Sequence, residues 1–377
     1  MRSAVVVCLL AASSIAHAGP ACHLRGRPWL EARVQGSKAA AARAVDARLG
    51  EAIEVFLVAP GQLDGRAVLF SELPGRGRVS WTSAGCGPMT VAWKRVEPRM
   101  EHVDTPAPNK TAKVYSNAVV FGPDHGKWIG FDKLEYFESP VASSGDGARL
   151  IVRDATPSGS QDRAGQRGLG TMRLCATLEA DGQSLATPGA GDAPEGQISP
   201  RVLRYSFRSS DGFLGWLTSY FNVPYLFGSA GKGTRNQAER YIGADCADIL
   251  VAALRRAGAS KLEYTSVAEL VDSMSRVAGP SLVKTTPAEP AIRFGAQVRA
   301  GDLIALDYVG FDGLPRSWDH IVVMVEDRGP DGKPDGLLGP EDLVADSGDS
   351  SGLKFAPLAD QGTVRVQVLR PSGVPVL

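Results

Sequence analysis

Along residues 20–180, apolar and polar side chains alternate in short runs separated by turn-forming clusters. The runs are Trp29–Val34, Ile53–Val58, Val68–Phe70, Val79–Trp81, Thr90–Trp93, Lys113–Phe121, Trp128–Phe137, Leu150–Arg153 and Thr171–Leu178. Many of their residues are β-branched or aromatic, which suits a pleated, half-buried surface. Pro74-Gly75-Arg76-Gly77 and Ser144-Gly145-Asp146-Gly147 are typical separators, so this β-rich region is predicted to be a sandwich or barrel. One stretch, the Ala- and Arg-rich Lys38–Leu49, reads as helix. Residues 181–200 hold too few apolar side chains to pack and predict a linker. Beyond it the period changes. Asp211–Tyr220, Asp245–Ala257 and Ser266–Val277 carry helical spacing, whereas Leu303–Asp307, Ile321–Glu326, Asp342–Asp346 and Thr363–Leu369 read as strands. Helices followed by antiparallel-looking strands predict an α+β second domain. The expected organisation is a β-rich domain at 19–180, the linker at 181–200 and a second domain at 201–377.

The N-terminus has Arg2, the apolar run Ala4–Leu10 and the small-residue pattern Ala16-His17-Ala18. These are the parts of a secretory signal, so residues 1–18 are expected to be removed and the chain exported, to a periplasm or beyond the cell. The run is too short to span a bilayer, and no later stretch approaches the ~20 apolar residues required. The mature chain, roughly 360 residues long, exceeds what one core normally serves, in keeping with two domains. Lys plus Arg (41) equals Asp plus Glu (41), leaving no net charge to steer the chain toward nucleic acid or anionic lipid. In an oxidising compartment Cys22, Cys86, Cys175 and Cys246 could pair in three ways, and Cys22 with Cys86 is the preferred bridge.

Candidate chemistry concentrates at Asp245-Cys246-Ala247-Asp248. Asp245 is a good N-cap, and Ile249, Leu250, Ala253, Leu254 and Ala257 form one apolar face behind it. Arg255 and Arg256 suit the last turn, and Gly258 can close the helix. Cys246 therefore falls in the first turn, where unpaired N–H groups and the positive dipole end favour a thiolate. A buried structural cysteine is the competing reading. His320, the only histidine after the linker, opens the apolar run Ile321–Val325. From a strand end an imidazole can serve as base to a helix-start thiol, provided a third group orients it.

Pro224-Tyr225-Leu226-Phe227-Gly228, Asp245-Cys246, Gly301-Asp302-Leu303-Ile304 and Asp319-His320-Ile321-Val322 follow one another in the order of the NlpC/p60 cell-wall cysteine peptidases. The chain resembles that family over about residues 211–350. The resemblance implies a papain-like catalytic domain of helices plus antiparallel sheet. It also implies Cys246 as nucleophile, His320 as general base and Tyr225 as the tyrosine that polarises the substrate carbonyl. Asp346, on the strand after that of the histidine, is the implied orienting group, and the Cys246 N–H an oxyanion donor. Where the family has Ser-Gly after the cysteine, this chain has Ala247-Asp248, so Asp245 and Asp248 are the candidates for contacting a differently held substrate.

The expected function is hydrolysis of an amide in a bacterial cell-wall peptide. A related amidase, thioesterase or acyltransferase, or a non-catalytic envelope-binding protein, are the alternatives. No cofactor is called for: zinc motifs, phosphate loops and serine elbows are absent. Asp327, Asp331 and Asp335 have some of the spacing of a calcium loop, but Leu338 stands where its bidentate Glu belongs, so a polar turn is expected. His102 and His125 have no metal-ligand spacing.

Overall fold

The computed structural model describes residues 21–98, 136–142, 147–158, 167–192, 198–226, 229, 236–310, 318–348 and 352–377. The expected signal segment, the runs at 113–121 and 128–135, His102 and His125 lie outside these residues.

Two sheets make up the N-terminal half. Strand β4 (Ile53–Leu63) is long enough to serve several partners. Its first half pairs with β2 (Trp29–Val34) and β9 (Arg149–Val152), and its second half with β1 (Cys22–Leu24) and β5 (Arg66–Phe70), which leads to β6 (Arg78–Val79). The second sheet runs β3 (Ala44–Arg48), β12 (Leu203–Arg208), β10 (Gly170–Ala180), β7 (Met89–Pro98), β8 (Tyr136–Pro140), with β11 (Gln183–Ala186) beside β10. Leu30, Val55 and Leu57 of the first sheet share a core with Trp93, Leu174, Leu178 and Tyr205 of the second. The two sheets therefore form a sandwich, and the Cys22–Cys86 disulfide closes one edge of it. Residues 183–186 and Asp192 are ordered within the expected linker: Arg27 holds the Asp192 carboxylate with two hydrogen bonds of 2.7 and 2.6 Å.

The third sheet is a six-stranded antiparallel layer ordered β13 (Ser275–Val283), β18 (Val364–Arg370), β14 (Leu303–Tyr308), β15 (His320–Glu326), β16 (Leu343–Gly348), β17 (Gly352–Pro357). Strict alternation sorts its side chains. Leu303, Ala305, Ile321, Val323 and Ala345 face the helices α1 (Phe213–Thr218), α2 (Cys246–Arg256) and α3 (Val267–Ser273). Ile304, Leu306, Val322, Met324 and Val344 face a second core with Ile292, Leu338 and Leu358. Among the described residues no helix is long and apolar enough to cross a membrane.

The α+β, papain-like fold class expected from the sequence is overturned. The described residues are 42% strand and 10% helix, arranged in three sheets with three α-helices. Three stretches read as helix in the sequence hold less helix than expected. Lys38–Leu49 forms no helix; its second half is β3, paired in parallel with β12. Ser266–Val277 is helical only to Ser273, after which the chain becomes β13 and pairs with β18. Asp211–Tyr220 shrinks to the six residues of α1. In the first two cases a distant strand offers backbone hydrogen bonds that local periodicity cannot reveal.

Candidate active site

Helix α2 begins as its sequence demands. Asp245 has extended backbone, and its carboxylate accepts from the Asp248 N–H at 2.8 Å, capping the first turn. Ile249–Leu254 are all buried, pressed between α1 and the β15–β16 face of the third sheet. The segment before the helix is held just as firmly. Tyr225 bridges Ala244 in parallel, with the Ala244 N–H donating to Pro224 O at 3.0 Å and the Leu226 N–H to Ala244 O at 3.3 Å. Gly243 makes this close approach possible, because a Cβ there would stand 2.1 Å from Leu226 Cδ1. Tyr225 is thereby fixed, half-buried, beside the residues that lead into Cys246. Phe227 and Gly228, the end of that motif, lie outside the described residues. Asp245 and Asp248 are themselves buried. Ser229 ties them together, accepting from the Asp245 N–H at 3.3 Å and donating to Asp248 Oδ2 at 2.6 Å.

Cys246 is the first residue of α2, and its N–H belongs to the group of amides that have no partner within a helix. The sulfur is reduced and buried, 6% exposed. His320, first residue of β15 and 8% exposed, stands close enough to it for the sulfur to raise the imidazole pKa. The other face of the imidazole is occupied as well: Nε2 lies 2.7 Å from Asp346 Oδ1 on β16. Nδ1 is the nitrogen that remains for the thiol. The three sequence-chosen groups thus meet in the order sulfur, imidazole, carboxylate.

Electrostatics follow from that order. Burial by itself would depress the His320 pKa. The negative charge of the Cys246 sulfur, the hydrogen bonds to Asp346 and Cys246, and the charge of Asp346 outweigh it and lift the value from an ordinary 6.5 to about 10. Asp346 is the mirror case. Burial pushes its pKa up, but the hydrogen bond and charge of His320, with Lys354 and Gln361 behind, hold it below the usual carboxylate value. The imidazole is therefore charged at neutral pH, with the Asp346 carboxylate against it.

Three further residues complete the surroundings, and the motifs did not point to them. Gln361, at the end of the one-turn 3-10 helix Leu358–Gln361, donates from Nε2 to Asp346 Oδ2 at 3.1 Å. Lys354 Nζ on β17 stands 3.9 Å from the same oxygen. Tyr308, last residue of β14, lays its ring nearly parallel to that of His320, at 6.3 Å and 20°. Tyr308 adjoins a strand the sequence predicts, whereas nothing local marks Gln361 or Lys354.

Among the described residues no group of three or more His, Cys, Asp and Glu side chains is placed to hold a metal. In the 327–338 loop the acidic groups serve the backbone: Asp327 Oδ1 accepts from the Asp335 N–H at 3.1 Å and Asp331 from the Lys333 N–H at 3.0 Å. No family model, curated protein or solved structure matches this chain.

Proposed function

We propose that the protein is an exported cysteine hydrolase that cleaves an amide bond in peptidoglycan stem peptides, related to the NlpC/p60 peptidases by its ordered motifs. The observation that carries the reading is His320, buried and held between the Cys246 sulfur and an Asp346 oxygen at 2.7 Å. A core histidine needs one partner. This one has two of opposite use, a nucleophile on one nitrogen and an orienting carboxylate on the other.

The chemistry runs in two halves. The Cys246 sulfur attacks the substrate carbonyl carbon, and the oxygen that becomes negative is received by the backbone N–H of Cys246, with Tyr225 polarising the same carbonyl. Protonated His320 gives its proton to the departing amine nitrogen as the C–N bond breaks, leaving a thioester. Water then adds to the thioester carbonyl, losing a proton to neutral His320. The C–S bond breaks, the new carboxylic acid leaves, and the thiol–imidazole pair is restored. Asp346 stays ionised throughout and fixes the imidazole.

Ala247 and Asp248 favour a second reading, a thiol amidase, thioesterase or acyltransferase on another acyl group. Ala247 has no hydroxyl with which to hold a peptide amine, and the Asp248 carboxylate is engaged by Ser229. A non-catalytic envelope-binding protein is the remaining alternative. Digestion of purified peptidoglycan with the mature protein and with Cys246→Ala, followed by mass spectrometry, separates the three. New peptide termini made only by the wild type are expected, and they identify the bond. Identical digests with Cys246 labelled by an electrophilic thiol probe mean another acyl substrate; identical digests and no labelling mean a binding protein.

A further inference from the structure

We infer that Tyr308 and Gln361 are positioning residues of this site, which together pin one oxygen of Asp346 so that the other stays on His320. The inference rests on the thiol–imidazole reading above and adds residues that neither the motifs nor that mechanism uses. A carboxylate turns easily about its terminal torsion, because the preference there is broad and two-fold. Holding one oxygen therefore aims the other. The hold on Oδ2 is the Gln361 amide at 3.1 Å, and the amide is oriented in turn by the Tyr308 hydroxyl, which donates to Gln361 Oε1 at 2.6 Å. Only one orientation of the amide satisfies both partners. Reversed, it would set an oxygen against the carboxylate.

Tyr308 is anchored at both ends. Its backbone N–H donates to Asp319 Oδ2 at 2.9 Å, on the residue preceding His320, and its ring lies along the imidazole. The chain of contacts returns to its starting point, from His320 to Asp346, to Gln361, to Tyr308 and back to His320. Four elements supply it: β15, β16, the 3-10 turn and β14. Among the described residues, the groups around the imidazole that carry charge or titrate include Cys246 from α2, Asp346 from β16, Lys354 from β17, Tyr308 from β14 and Asp319 next in sequence. Lys354 bears on the same oxygen of Asp346 as Gln361. With Gln361 removed, that cation draws the carboxylate toward itself and away from the ring.

The test is the pH profile of Cys246 alkylation by iodoacetamide in the full chain, alongside NMR titration of the His320 imidazole. It compares wild type, Gln361→Leu and Tyr308→Phe, the last keeping the ring and losing only the hydroxyl. Both variants are expected to lower the His320 pKa and to slow alkylation at pH 7 about tenfold to a hundredfold, the range for loss of an outer orienting partner. A merely structural role would change the melting temperature and leave the profile where it was. A reactive wild-type thiol whose profile and imidazole titration are unchanged in Tyr308→Phe overturns the inference, whether or not Gln361→Leu folds. A wild-type Cys246 no more reactive than free cysteine at any pH overturns instead the underlying thiol–imidazole reading.

Discussion

At the scale of the residue, the site is decided by His320, whose charge depends on its two partners. Cys246→Ala removes the sulfur that helps raise the imidazole pKa, so the value should fall from about 10, visible as an NMR titration midpoint at lower pH. Stability follows with a definite sign. Because the folded value lies above the ordinary 6.5, the imidazolium contributes stability that is complete below about pH 6.5 and lost as pH rises through about 10. The melting temperature should therefore decline across that window, less steeply in Cys246→Ala. An equal decline in both proteins would show that the sulfur is not the partner. Asp346 accepts with both oxygens, from His320 and from Gln361. On the proposed reading Asp346→Ala should reduce kcat on the order of 10²–10⁴-fold, and Asp346→Asn, whose single carbonyl oxygen cannot serve both partners, should lose a comparable factor while lowering the His320 pKa. Near wild-type kcat in Asp346→Asn would mean that a neutral acceptor on His320 is enough.

Elements place these residues, and here the sequence was legible unevenly. The start of α2 could be read because every signal for it is local: the Asp245 cap, the apolar face at helical spacing, Arg255 and Arg256 in the last turn. The third sheet was readable in β14, β15, β16 and β18, whose short apolar, β-branched runs bounded by turn residues suit strands better than helices. His320 stood out as the only histidine after the linker, at the head of such a run, and Asp346 was supplied by the family resemblance. Gln361 was not, since its partners, Asp346 and Tyr308, come from strands 15 and 53 residues away along the chain. The same blindness to distance turned Ala44–Arg48 into a helix on paper. Its strand partner β12 lies beyond the expected linker, and its Asp46 is half-hidden against Arg204 of that strand. Gly243 shows how tightly an element start can be set. Gly243→Ala drives a methyl into Leu226 and should cost about 1–3 kcal/mol by the usual penalty for overpacking, measured by chemical denaturation. It should also slow Cys246 alkylation, because relief of the clash moves the bridge that holds Tyr225. Wild-type stability in this variant would show that the approach of 224–226 to 243–244 is loose.

At the scale of the whole molecule, the sandwich and the third sheet are joined through buried charge and aromatic stacking, and α2 sits at the join. Its Cys246 end faces β15. Its other end carries Arg256, which lies 3.6 Å from Asp46 of β3 and stacks its guanidinium over Tyr241 at 4.7 Å and Trp216 at 5.4 Å. Arg204 of β12 reaches the same Asp46 at 2.7 Å and the same Tyr241 ring at 4.3 Å. From β10, Arg173 donates to the carbonyls of Arg240 and Tyr241, just ahead of the helix; burial lowers its pKa to about 10 despite the help of Tyr136, and it remains charged at neutral pH. A segment bonded this way cannot open without stranding polar groups in the interior, each at about 1–3 kcal/mol. The sandwich and the site should therefore unfold together. Denaturant titration followed by tryptophan fluorescence and, in parallel, by the loss of the heightened alkylation rate of Cys246 is expected to give coincident transitions. Asp46→Ala leaves Arg204 and Arg256 without their carboxylate and should shift both curves equally, by about 2 kcal/mol. That is less than the 3–5 kcal/mol for a fully buried pair, because Asp46 keeps 23% of its side chain exposed. Reducing the Cys22–Cys86 bridge, far from the thiol but closing a loop with a sequence separation of 64, should likewise move both by up to about 4 kcal/mol. A Cys246 that loses its heightened reactivity well before the tryptophans report unfolding would mean that the site half opens on its own, and that the sandwich is cargo and not scaffold.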